Sequence, residues 1–407
     1  ALIENLRNTY NEIPEYADDL KRQKIHVVLP EDPIELNYDL SSLRSLYLKT
    51  LSEISPSEDD AKKNKDNHNF RYFKAARYSP VTYIIEDEAL REKMVVELEN
   101  KTGIKFNLLL GRQINISGFM RKMLVRRFES SVESFRKSLN YMIESSEKII
   151  KWINKSNRVP VYKKGNLLDV DDFYKSTDDG NEEIKEVFDK YEKRGFFEID
   201  MKYINDEFVS DIQSDIDLLK EIRKEWFGAE NIIKLDPKLD SFKRILRQKL
   251  ENDPKRKLVV FTEFADTADY LGDKLIAAGL PVFKYTSADA SASNKDIIDT
   301  NFNAGLKVSI QKDDYKILVA TDAISEGYNL HRAGTIFNYD IPYNPTRVIQ
   351  RIGRINRINK KMFDKLYIYN YFPSEVGENE TRTKEITTLK MAMIHAIMGE
   401  DTKALTK

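Results

Sequence analysis

Cysteine is absent from all 407 residues. That single absence excludes disulfides, thiolate metal sites and cysteine nucleophiles. Histidine is nearly as scarce. His26, His68, His331 and His395 are too scattered along the chain to argue for a metal cluster, and no metal site is expected. No apolar run approaches the roughly 20 residues that span a bilayer. The N-terminus lacks the basic-then-apolar pattern of a secretory leader. The expectation is a cytoplasmic protein with no membrane partner. Net charge is missing too, at −1, so partners have to be read from where the charges fall. The chain opens on Ala1 rather than Met, as expected of a piece of something longer.

What is present is length, charge and helical pattern. A chain of 407 residues predicts about two to three domains. With 33% charged residues against 41% hydrophobic ones, it predicts a surface-rich, helix-rich protein. Residues 1–40 are mixed, with Pro14, Pro30 and Pro33 interrupting short stretches and a strand-like run around Ile25 to Leu29. Residues 41–235 read as mainly helical. "SSLRSLYLKTLSEI" carries a start signal at Ser42. From Gly118 to Asn154 one long amphipathic pattern places Met120, Met123, Leu124, Phe128, Phe135, Leu139, Met142 and Ile143 in a single stripe.

Charge is segregated within that part. From Arg121 to Gly165 there are 12 Lys and Arg against 4 Glu, a net of +8. From Asn166 to Asp217 there are 6 Lys and Arg against 17 Asp and Glu, a net of −11. Such blocks face each other or face different partners. The basic helix, with Arg126 and Arg127, is a candidate phosphate-tracking surface; its plainer reading is a solvated helical face. The acidic stretch, about 166–217, reads as a mobile loop.

From Asp236 the grammar changes. "KLVVFTEF", "PVFKYT", "YKILVATD", "GTIFNYD" and "KLYIYNYF" read as strands, with helices between most of them. Strands alternating with helices predict a parallel sheet covered on both faces. Ligands of such sheets sit beyond the carboxyl ends of the strands. That rule points just past Thr262, Thr321 and Asp340. A last helix is expected over residues 379–399 within the tail 373–407.

Three segments lie at those strand ends. In "FTEF", Thr262 can cap the next helix or touch a phosphate. In "ATDAISEGYNL", Thr321 offers a hydroxyl, Gly327 lets backbone approach a ligand, and Glu326 can meet a nucleotide or an arginine. Thr321 or Asp322 can equally serve as a helix cap. In "FNYDIPYNP", Asn344 and Pro345 set the start of a helix, and Asp340 reads as architectural. That helix carries "QRIGRINRI". Gln350, Arg354 and Arg357 lie three and four residues apart, on one helix face, with Gly353 beside them. Arginine's planar fork of donors suits phosphate oxygens.

"LVVFTEF", "ILVATDAISEGYNL", "FNYDIPYNP" and "QRIGRINRI", in that order, resemble motifs IV, V, Va and VI of superfamily II helicase-like ATPases, in the flavour of bacterial Swi/Snf-type members. "DDLKRQKIHVVLPEDPIELNYDL", "FRYFKAARYSP" and "GFMRKMLVRRFESSVESFRKSL" resemble, more loosely, the inter-lobe connector and helical insertion of those proteins. The resemblance implies a connector over 1–40, a helical insertion over 41–235 and an α/β lobe over 236–372. That lobe is a RecA-like parallel sheet flanked by helices, the P-loop-NTPase-like C-terminal lobe of a helicase. It implies that Arg357, as arginine finger, and Arg354 reach nucleotide phosphates across a cleft. Gln350 and Gly353 couple the helix to the nucleotide, Glu326 and Gly327 shape the coupling loop, and Thr262 and Thr321 contact a nucleic-acid backbone. Double-stranded DNA is the expected substrate, with ATP and Mg2+ as cofactors.

One departure limits this. No G-x-x-x-x-G-K-[ST] loop occurs anywhere in the chain. Gly111 and Gly118 are isolated, and Glu86-Asp87-Glu88 lacks the partner motif. The resemblance therefore implies that a first RecA-like lobe precedes Ala1 and holds most of the nucleotide. This chain alone would not hydrolyse ATP appreciably. The alternative is a RecA-like scaffold without catalysis, whose helical insertion binds a protein or nucleic acid.

Overall fold

The protein is described here from a computed structural model covering residues 31, 33–39, 42–56, 71–162, 196–325, 327–342, 345–355, 362–363 and 365–371. In chain order its elements are β1 (Ile34–Leu36), α1 (Arg44–Ile54), α2 (Glu88–Thr102), α3 (Phe106–Ser130), α4 (Val132–Ser156), β2 (Arg158–Tyr162), β3 (Phe196–Asp200), α5 (Glu207–Phe227), α6 (Pro237–Asn252), β4 (Lys257–Phe261), α7 (Ala265–Ala277), β5 (Val282–Tyr285), α8 (Ala292–Phe302), β6 (Ile317–Ala320), β7 (Ala333–Asn338), α9 (Pro345–Ile355) and β8 (Tyr367–Tyr371). They divide into two compact units, one built from residues 31–42 and 236–371, the other from within 43–235.

The first unit is a six-stranded sheet in the order β1-β8-β7-β4-β6-β5, with every pairing parallel. Its middle strands are continuous apolar runs, KLVVF in β4 and ILVA in β6, and both are buried throughout. Strands buried on both faces need no polar alternation. One face packs Val259, Phe261, Leu318 and Ile336 against Val348 and Ile352 of α9. On another side, the Phe242 ring of α6 meets Phe337, Tyr339 and Tyr371 at centroid distances of 5.4, 5.1 and 5.7 Å. Asp236 caps α6 by accepting from the Leu239 N–H at 2.9 Å, and Pro237 occupies the first turn. Gly279, at φ 77°, follows α7 in the left-handed conformation that ends many helices.

The five strands expected in this part all form. The sixth, β1, falls in the segment expected as connector. Its three residues are too few to show a period, and only the β8 backbone beside it makes it a strand. The expected strand near Ile25 and the expected helix over 379–399 lie outside the described residues.

The second unit is mainly helical. The long stripe from Gly118 to Asn154 is two helices of 25 residues each, not one. Ser131 breaks it, with extended φ −156° and ψ 154°, and its hydroxyl accepts from the Ser134 N–H at 3.1 Å. Apolar spacing runs through the break because α3 and α4 bury the same kind of face. Phe128 and Phe135, on either side of the turn, touch at 4.5 Å. Gly111 and Gly118 sit inside α3. α1 starts at Arg44 with Leu43 as its cap and no side-chain bond, so Ser42 is not the start signal. Asp87 caps α2 through the Leu90 N–H at 3.0 Å. A short antiparallel pair, β2–β3, interrupts the part expected to be mainly helical.

The acidic stretch is partly a helix. Residues 207–217 belong to α5, and its Asp215 is buried. Asp215 accepts from the backbone N–H groups of Lys74, at 2.7 Å, and Ala76, at 2.9 Å, on either side of Ala75 at φ 56°. Residues 196–200 of it form β3, and 166–195 lie outside the described residues.

Candidate functional site

Register brings three strand ends level. Phe261 closes β4 beside Ala320 of β6 and Asn338 of β7. Backbone bonds carry the alignment one residue further. The Thr262 N–H donates to the Ala320 carbonyl at 3.1 Å, and the Tyr339 N–H to the Phe261 carbonyl at 2.8 Å. Segments 262–264, 321–325 and 339–341 therefore share the carboxyl edge of the sheet, where ligands of such folds gather.

α9 starts from this edge. Its buried face is Val348, Arg351, Ile352 and Ile355, spaced i, i+3, i+4 and i+7. Arg351 is 0% exposed. Its Nε donates to Asp322 Oδ1 at 2.6 Å and its Nη2 to Asp322 Oδ2 at 3.0 Å, a two-point ion pair. Its Nη1 donates to Asn338 Oδ1 at 3.0 Å, and Asn338 Nδ2 donates on to Asn370 Oδ1 at 2.7 Å. Arg347 adds a donor to Asp322 Oδ2 at 3.3 Å. Burial works against the Arg351 charge. The neighbouring Asp322 carboxylate outweighs it and holds the guanidinium above its ordinary value.

The expected nucleotide-facing residues of α9 lie outside its buried row. Gln350 is exposed, and Gly353 and Arg354 are half-buried. The Arg354 carbonyl accepts from the Leu330 N–H at 3.0 Å, tying the loop after β6 to the end of α9. In that loop Gly327 holds φ 82°, and a Cβ there would meet nothing within 4 Å. Glycine is thus required by backbone conformation rather than by space. The next residue, Tyr328, shares a hydroxyl–hydroxyl bond of 2.7 Å with Tyr285 at the end of β5. Arg357 and Glu326 lie outside the described residues.

Four expected surface contacts fare differently. The Thr262 and Thr321 side chains are fully buried. The Thr262 hydroxyl donates to Asp340 Oδ2 and accepts from the Phe264 N–H at 3.4 Å. Asp340 Oδ1 also accepts from the Glu263 N–H at 2.7 Å. The Thr321 hydroxyl accepts from the Ala323 N–H at 3.4 Å. Both hydroxyls are therefore buried and engaged within their own turns. In the other unit Arg127 is 3% exposed; its Nε donates to the Ser134 carbonyl at 3.4 Å and to the Ser138 hydroxyl. It braces the α3–α4 turn instead of a nucleic-acid surface. Arg126 is half-buried.

Arg351 and Asp322 were missed as a pair. A signal existed: Arg351 falls on the apolar row of its own helix, where a charge needs a buried partner. The exposed Gln350 amide and the half-buried Arg354 guanidinium are hydrogen-bond donors of the kind that suits phosphate oxygens. Among the described residues no group of three His, Asp or Glu could hold a metal ion. Also among them, no helix is long and apolar enough to cross a membrane.

Comparison with known proteins agrees with this geometry. Residues 237–359 match the helicase conserved C-terminal domain. The stretch is thus similar to the C-terminal domain of ATP-dependent helicases. The chain is 31% identical over 154 residues to the uncharacterized ATP-dependent helicase YqhH of Bacillus subtilis, covering 37% of this chain and 25% of that protein. It is 27% identical over 164 residues to the ATP-dependent RNA helicase eIF4A of Phaeosphaeria nodorum, covering 40% and 37%. The chain thus spans well under half the length of these relatives. Among solved structures, the Hef helicase domain of Pyrococcus furiosus aligns with 88% of this chain and 58% of its own, at 16% identity and a TM-score of 0.43.

Proposed function

We propose that this chain is the second motor lobe, with its helical insertion, of an ATP-dependent translocase or helicase of the Swi/Snf type acting on double-stranded DNA. One observation carries the reading. The buried Arg351–Asp322 pair locks α9 at the carboxyl edge of the sheet, with Gln350 exposed and Arg354 half-buried beside it. Motors of this kind work by two lobes closing on a nucleotide and reopening after hydrolysis. ATP and Mg2+ would be held mainly by a first lobe, since the donors here fit phosphate oxygens and not a metal. When bound, the nucleotide supplies the phosphoryl group whose transfer powers the cycle. Arg354 and Arg357 stabilise charge on its phosphates, with Arg357 as the arginine finger. Gln350 and Gly353 form the rest of that surface. The loop with Glu326 and Gly327, tied to α9 through Leu330, passes the change to the nucleic-acid side. Grip on the duplex comes from the turns at the strand ends, through backbone and not threonine hydroxyls. It is mainly phosphate contact, independent of sequence and sensitive to salt.

The test is ATPase activity of the full-length protein, with and without duplex DNA. Wild type is expected to be stimulated by DNA. Arg357→Ala should lower the stimulated rate by about 10³-fold or more, and Arg354→Ala should also lower it. Full stimulated turnover by Arg357→Ala would overturn the arginine-finger assignment. No turnover by wild type would return the chain to a scaffold.

A further inference from the structure

The loop that enters β6 at its amino end lies at the opposite edge of the sheet from the strand ends described above. It runs over residues 303–316 and holds one 3-10 turn, Val308–Ile310. Val308 is 83% exposed, more than any other large hydrophobic residue among those described, and Ile310 is 49% exposed. A lone exposed aliphatic is ordinary. Two on one turn are less so when the turn is held in place. The Ile310 N–H donates to the Lys307 carbonyl at 2.9 Å, and the Gln311 side chain to the Leu306 carbonyl at 2.9 Å. At the base of the loop, the Lys312 N–H donates to the Thr300 carbonyl at 2.8 Å, and the Tyr315 N–H to the buried Asn301 side chain at 3.2 Å. Arg332 spans the gap. Its Nη1 donates to the carbonyls of Asn301, at 2.9 Å, and Lys312, at 2.6 Å, and its Nη2 to Asp313 at 2.7 Å.

Charge gathers around the same tip. Asp313 is shared by Lys257, Lys316 and Arg332. Lys307 and Lys312 are exposed on either side of the turn, and among the described residues neither ammonium is in an ion pair. Asp314 is the one other acid in the segment. Segment and braces together carry five cations against two acids, a net of +3, in a chain whose net charge is −1.

We propose that the turn at 307–312 is a docking knob for a partner protein, received by a segment that presents Asp or Glu around apolar side chains. Burial of Val308 and Ile310 supplies affinity, and carboxylates opposite Lys307 and Lys312 set the register. The backbone is fixed before the partner arrives, so little ordering entropy opposes docking. Charge complementarity selects this occupant. A second copy pairing through the same surface would set +3 against +3. Nucleic acid would meet aliphatic side chains, which offer no flat surface for a base. Two aliphatic side chains bury too little to anchor the chain on a membrane. The knob is independent of the motor reading, because it sits at the amino ends of strands whose carboxyl ends carry the candidate site.

The experiment selects phage-displayed random peptides on the 407-residue chain, after depletion on Val308→Ser/Ile310→Ser. Enriched peptides should share Asp or Glu beside apolar residues. Synthesised and labelled, they should bind wild type at least about tenfold more tightly than that double variant by fluorescence anisotropy, the loss expected when aliphatic burial is removed. Lys307→Gln/Lys312→Gln should weaken binding severalfold and flatten its salt dependence. Val308→Leu should bind like wild type, which separates an apolar contact from a disturbed turn. The substituted positions are exposed, so thermal midpoints should hold, and Arg357→Ala should leave peptide binding as it is. No enrichment, a consensus without acids, or equal affinity for Val308→Ser/Ile310→Ser would overturn the proposal. So would self-association, or binding to duplex DNA or anionic vesicles, that the same double variant abolishes, since each would give the knob another occupant.

Discussion

Arg351 and Asp322 meet through two hydrogen bonds, of 2.6 and 3.0 Å, inside the first unit. One comes from the helix of the arginine motif and the other from the turn after β6. The pair is therefore a joint between two segments that sequence shows only as separate motifs. Asp322→Ala would leave a fully buried guanidinium without its carboxylate. The expected cost is about 3–5 kcal/mol, measured by urea unfolding. Arg351→Met with Asp322→Leu should cost clearly less than the two single losses summed. A purely additive cycle would show that the pair is not a joint.

Thr262 and Asp340 form a second joint. The hydroxyl and the Glu263 N–H converge on one carboxylate. Thr262→Val should lower stability by about 1–3 kcal/mol, the range for orphaning a buried acceptor. Affinity for duplex DNA should change by less than the stability does, because the hydroxyl faces inward. A large loss of affinity in a variant of normal stability would restore a phosphate contact to Thr262.

Asp215 carries a pH dependence. Burial pushes its carboxyl up to about 7, against the two backbone hydrogen bonds from Ala76 and Lys74. The unfolded chain releases that proton near its ordinary value of 3.8. Between the two values the folded state holds more protons, so stability falls as pH rises. The contribution is whole below about pH 4 and gone above about pH 7. Unfolding of wild type and Asp215→Asn, compared across that window, should show wild type losing ground as pH climbs. A constant difference would mean that Asp215 titrates normally.

Lys257 is the contrasting buried charge. Its ammonium pairs with Asp313 at 2.9 Å and donates to the Tyr315 carbonyl at 2.7 Å, and burial pushes it down to about 8. Asp313 also holds Arg332 at 2.7 Å and Lys316 at 3.6 Å. Lys257→Met therefore strands no carboxylate. It should cost about 1 kcal/mol or less, the range of an exposed ion pair, because Asp313 is 59% exposed and keeps Arg332 and Lys316. A cost like that of Asp322→Ala would show that Asp313 depends on this lysine.

The break at Ser131 is testable on its own. Ser131→Ala removes the hydroxyl that accepts from Ser134 N–H and should cost about 1 kcal/mol. Thermal unfolding would read it, and an unchanged midpoint would leave the turn to the Arg127 brace alone.

Much of the α/β unit was legible because its signals are local. Continuous apolar runs mark buried strands, and Pro237 marks a helix start, from a few neighbouring residues each. The phosphate-suited chemistry of Gln350 and Arg354 was equally plain, since helix spacing alone puts them together. Three-dimensional packing decided the rest. Period 3.6 survives across an extended serine, so the stripe could not reveal that α3 and α4 are separate. β1 is a strand only because β8 offers it hydrogen bonds. A threonine beside a strand end looks the same in sequence whether it turns inward to Asp340 or outward to a phosphate. Whether an arginine is a finger, a brace or a joint depends on partners far away in the chain. Arg127 finds Ser134 and Ser138, and Arg351 finds Asp322, 29 residues earlier. Composition and order determined which chemistry this protein carries; burial and long-range pairing decided which side chains are free to perform it.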